Sequence, residues 1–87
     1  MDHNKKLEFA LAVLYAMPGH KKEPIEKLFT DVREQNLFPE SDLKKIEDEA
    51  YEVLPIAELM YDNGREADLQ KFRDFRDRIL MLAGIHD

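Results

Sequence analysis

From Leu43 to Met60 the apolar residues Leu43, Ile46, Ala50, Val53, Ala57 and Met60 recur at steps of 3, 4, 3, 4 and 3. That alternation keeps one stripe of a helix apolar, so the segment predicts a helix lying along a bundle seam. A stripe this long must be buried against neighbouring elements, which limits the chain to folds that supply them. Pro55 falls inside it. Proline removes a backbone donor and crowds the preceding turn. The spacing continues in phase past Pro55, which predicts one helix kinked there, not two.

The neighbours are legible on either side. Breaks at Pro18-Gly19, Asn36 to Pro39 and Asn63-Gly64 divide the chain into four helical stretches. No period-two alternation of β-branched residues suggests a strand. The second stretch starts near Pro24, a favourable first helical residue, carries Ile25, Leu28, Phe29 and Val32 at i, i+3, i+4, i+7, and stops at Asn36. Ser41 is the candidate N-cap of the third. The fourth opens with Asn63 and Glu66 in capping-box spacing, buries Leu69, Phe72, Phe75, Ile79 and Leu82, and ends at Gly84-Ile85. Short connections make sequential helices antiparallel neighbours. The expectation is an all-α, compact, bundle-like four-helix fold, with residues 1–87 as one domain.

The first stretch, Asn4 to Met17, is ambiguous. Leu7, Leu11 and Leu14 lie on one face, and Phe9, Val13 and Met17 on the opposite one. A helix apolar all round is central to a core or offers a face to a partner. The Phe9, Val13 and Met17 face is nominated as the apolar anchor for a partner protein or for a homodimer. The apolar run itself is too short to span a bilayer. A charged segment follows without a small-residue cleavage site, so the run reads as a folded helix and not a leader.

The charge is unevenly placed. The chain carries 13 Lys and Arg against 19 Asp and Glu, a net −6. Residues 1–37 are balanced, with six acids and six bases. Residues 38–68 hold ten acids and three bases, and residues 69–87 hold three acids and four bases. The third helix and its flanks therefore account for the whole excess. A face of this kind is suited to a partner protein with a basic surface, where complementary charge speeds encounter and sets specificity. Glu40, Asp42, Glu47, Asp48, Glu49 and Glu52 are the candidate docking residues. Acidic character disfavours direct nucleic-acid and anionic-membrane binding, which need clustered Lys and Arg. Arg76, close to the fourth helix's apolar axis, needs a carboxylate, with Glu47 and Glu49 as candidates.

Catalytic material is sparse. No cysteine is present, which excludes disulfides and thiolate metal sites and agrees with a reducing, cytoplasmic setting. His3, His20 and His86 lack metal-ligand spacing, so neither metal nor cofactor is expected from them. Thr30 and Ser41 are the only hydroxyl residues besides tyrosines, and neither has a histidine nearby in sequence. One pattern does suggest chemistry. Asp48-Glu49-Ala50-Tyr51-Glu52 and Asp74-Phe75-Arg76-Asp77 resemble the acidic signature of the all-α nucleotide pyrophosphohydrolases, the MazG-like family. The resemblance implies that Asp48, Glu49, Glu52, Asp74 and Asp77 would bind magnesium for diphosphate cleavage. Aspartate stands at 48 and 74 where that family carries glutamate. The leading expectation is a small acidic protein-binding module, an inhibitor or adaptor. By charge and size alone it is analogous to toxin-immunity proteins and to phage anti-defence proteins such as anti-CRISPRs.

Overall fold

A computed structural model describes residues 2–19, 21–59 and 66–84, and the side chains of 4–19, 21–56 and 69–84. It contains four helices: α1 (Asp2–Ala16), α2 (Lys22–Glu34), α3 (Glu40–Leu59) and α4 (Glu66–Leu82), with a 3-10 turn at Met17–Gly19 closing α1. The all-α four-helix expectation is met. Met60, the Asn63–Glu66 capping box, Ile85 and the three histidine side chains lie outside the described residues.

The apolar stripe of α3 is where the spacing places it. Leu43, Ile46, Ala50, Val53 and Leu54 are all buried. They form the floor on which α2, the 3-10 turn and α4 pack, and α3 with α4 is the most extensive pairing. Pro55 lies inside α3, exposed, and the helix runs through it to Leu59. Opposite this floor, Ile25, Phe29 and Val32 enter from α2, and Phe75, Ile79 and Ala83 from α4. Each large apolar side chain among them contributes roughly 1.5–3 kcal/mol on burial.

Helix α1 resolves its ambiguity in favour of the core. Phe9, Ala10, Val13 and Met17 are buried, with Val13 and Met17 at 0% exposure. The Phe9 ring meets Phe29 edge-on at 5.1 Å between centroids and Phe38 at 5.5 Å. This corrects the nomination of Phe9, Val13 and Met17 as partner anchors. A face that fills the interior of one chain is not available to a second. The outward face is the other one: Leu11 and Tyr15 are exposed, and Leu7 and Leu14 are half-buried.

The turns follow residue chemistry. Asn36 takes φ 55 just past α2 and donates its N–H to the Arg33 carbonyl, as a short polar side chain in the left-handed region can. Gly84 does the same past α4 at φ 92, with its N–H donated to the Met81 carbonyl. Ser41 is not the cap of α3. The Pro39 carbonyl accepts from the Asp42 and Leu43 amides, so the helix begins at Glu40 and Ser41 lies one residue inside it. Glu40 and Asp42 in that first turn favour the positive end of the helix dipole.

Candidate functional site

The acidic helix α3 presents its carboxylates in three directions, set by its rotation about the buried stripe. On one flank stand Glu40, Glu47 and Tyr51, facing α2. Arg33, in the last turn of α2, reaches both glutamates. Its Nε donates to the two Glu40 carboxylate oxygens at 3.0 Å, and Nη2 and Nη1 donate to Glu47 at 2.8 and 3.3 Å. The planar guanidinium suits this, since its donors diverge in a fixed fork. Tyr51, one turn on from Glu47, donates its hydroxyl to the same carboxylate at 3.0 Å. Lys22, the first residue of α2, places its ammonium 4.8 Å from the Tyr51 ring centroid.

The electrostatics follow from these contacts. Hydrogen bonding to Arg33 holds the Glu47 carboxyl below its ordinary value; burial opposes this, and the Tyr51 hydrogen bond adds to it. The same two glutamates raise Arg33 further above its already high value. Tyr51 is pushed up to about 12, first by burial and then by its bond to the ionised Glu47. Glu47 is therefore a carboxylate, Arg33 a cation and Tyr51 a neutral donor throughout the physiological range.

The opposite flank faces α4. There Arg78 donates to Glu49. This corrects the expectation for Arg76, which is exposed and bonds its own neighbour Asp77 at 3.1–3.2 Å. The two arginines stand about 160° apart around α4, and α3 lies on the Arg78 side. Two arginines clamp helices together here: Arg33 on Glu40 and Glu47, and Arg78 on Glu49.

The third direction is outward. Asp48 is exposed and pairs along the helix with Lys44 at 3.2 Å. Glu52 is exposed and Asp42 half-buried. A surface hollow of about 380 Å3 between α3 and α4 is lined by Lys45, Asp48, Glu49, Glu52, Val53 and Arg78. Of the six acids nominated from sequence, three lie on this hollow and two, Glu40 and Glu47, are occupied by Arg33. Sequence reasoning missed Arg33 and Tyr51. The signal was there: Arg33 stands in the last turn of one helix, seven residues before Glu40 begins the next, and Tyr51 follows Glu47 by one turn.

Of the five acids implied as magnesium ligands, Asp48, Glu49 and Glu52 border the hollow, and Asp74 and Asp77 are not among its lining. Asp48 is bonded to Lys44, Glu49 to Arg78, Asp74 to the Gln70 amide at 2.9 Å and Asp77 to Arg76. Among the described residues no three His, Asp or Glu side chains come together as a metal site. Comparison of the chain with protein-family models, curated proteins and solved structures finds no match. Among the described residues no helix is long and apolar enough to cross a membrane.

Proposed function

We propose that this chain is a small protein-binding module, an inhibitor or adaptor, that docks the outward side of α3 on a basic surface of a partner protein. The observation that supports the reading is the hollow bordered by Asp48, Glu49 and Glu52, on the segment that holds the chain's whole negative excess. Its own cations, Lys45 and Arg78, are exposed, and Arg78 is largely in solvent on the Glu49 carboxylate. A partner's lysine or arginine exchanges with such a cation at little cost, because exposed ion pairs are worth about 0–1 kcal/mol. Attraction from the remaining carboxylates then sets encounter rate and orientation. The finer reading, an anti-defence or immunity-type inhibitor acting in the cytoplasm, rests on analogy of charge and size and on the absence of cysteine.

A pull-down from the source cell at low and at high salt tests this, with Asp48→Lys/Glu52→Lys as the comparison bait. The expected result is a captured protein with a basic surface, lost on charge reversal and lost in high salt. Capture that is indifferent to both manipulations sinks the docking surface.

A further inference from the structure

The hollow between α3 and α4 already contains a cation supplied from across it. Arg78 belongs to α4 and donates to Glu49 on α3, so the contact joins the two walls. Its two ends differ in access to water. The Glu49 side chain is 19% exposed and that of Arg78 61%. The carboxylate is the recessed partner and the guanidinium the open one.

The other charges of the lining are placed differently. Asp48 pairs along its own helix with Lys44, and Glu52 is exposed. Lys45 is exposed on α3 itself. Arg76, two residues before Arg78, bonds Asp77 and is not among the lining. Glu49 is thus the one acid of the lining whose bond comes from the opposite wall. A cation tethered beside its carboxylate acts at an effective concentration on the order of millimolar. An incoming cation has to displace it. A lone lysine or arginine has no advantage over Arg78 there. A surface with several cations does, because Asp48 and Glu52 attract the others.

We propose that Arg78 is a built-in competitor at the docking hollow. Its guanidinium holds the place on Glu49 that a cation of the partner takes, so docking proceeds by displacement and favours partners with clustered cations. This rests on the reading of α3 as the docking surface. While Arg78 is present, Glu49 attracts a partner less than its charge would. Removing Arg78 opens that carboxylate, for a gain of up to about fivefold in affinity, the reach of one exposed ion pair.

Fluorescence anisotropy of a labelled hexa-arginine peptide at low salt, with the full chain, tests the proposal. Arg78→Gln and Arg76→Gln change the net charge equally, so comparing them separates local from overall charge. Both arginines are exposed, and neither substitution touches the core. The expected result is that Arg78→Gln binds about two- to fivefold tighter than Arg76→Gln. In a Glu49→Gln background that difference should vanish, because the carboxylate that Arg78 holds is gone. Equal affinities of Arg78→Gln and Arg76→Gln overturn the proposal, as does a difference that survives Glu49→Gln. Native binding that is indifferent to Asp48→Lys/Glu52→Lys instead removes the docking surface, and the competitor with it.

Discussion

The two flanks of α3 carry the same kind of contact in different surroundings. Toward α2, Arg33 and Glu47 have side-chain exposures of 28% and 13%. Toward α4, Arg78 and Glu49 have 61% and 19%. On the α2 flank one cation holds two carboxylates, and one carboxylate accepts from both an arginine and a tyrosine. On the α4 flank Arg78, largely in solvent, bonds one carboxylate, Glu49. The difference teaches that formal charge pairing is a poor guide to strength. Solvent access and the number of donors per carboxylate decide it.

The largest expected break in that contrast is Arg33→Ala. It strips the cation from a half-buried carboxylate and should lower stability by about 2–3 kcal/mol, read by urea denaturation at neutral pH. Acid should do part of the same. The Arg33 contact depresses the folded-state affinity of Glu47 for protons, so its contribution is complete above the ordinary carboxylate value of 4.5. It is lost as pH falls through the lower folded-state value. Glu47→Gln should be less stable at neutral pH and show a shallower loss below about pH 5. An unchanged acid slope would assign the loss to other carboxylates.

Asn36→Val should cost about 1–2 kcal/mol, because a β-branched residue resists the left-handed turn that delivers Arg33 to Glu40. Glycine at the same position should be tolerated, and thermal melts of both variants separate backbone strain from side-chain loss. Tyr51→Phe removes one donor and leaves Arg33 in place, so about 1 kcal/mol is expected. A spectrophotometric titration of the native chain should show one tyrosine ionising near 12, absent in that variant. The smallest effect is Arg78→Ala, at or below about 1 kcal/mol. A cost equal to that of Arg33→Ala would erase the contrast between the flanks.

Much of this architecture is legible in the residue pattern. The steps of Leu43, Ile46, Ala50 and Val53 identify a buried seam, and Ile25, Phe29 and Val32 show which side of α2 meets it. Asn36 and Gly84 mark helix ends because few side chains tolerate their backbone angles. Helix α1 is different. Phe9, Val13 and Met17 are no more apolar as a set than Leu7, Leu11 and Leu14, so periodicity cannot rank the faces. The aromatic contacts of Phe9 with Phe29 and Phe38 decide it, and those depend on how three segments meet. The ion pairs were illegible for a related reason. Helical angle places Arg76 and Arg78 on opposite flanks of α4, but only the packing says on which flank α3 lies.

Arg33 spans a short turn. Its contacts to Glu40 and Glu47 close loops of only seven and fourteen residues, whereas Arg78 to Glu49 closes one of 29. Shorter loops are entropically cheaper to close, and contacts of this range form early in folding. The α2–α3 hairpin can therefore assemble while α4 is still undocked. In kinetic terms, losing Arg33 should slow folding, and losing Arg78 should mainly speed unfolding. Stopped-flow folding and unfolding rates of Arg33→Ala and Arg78→Ala check this order of assembly.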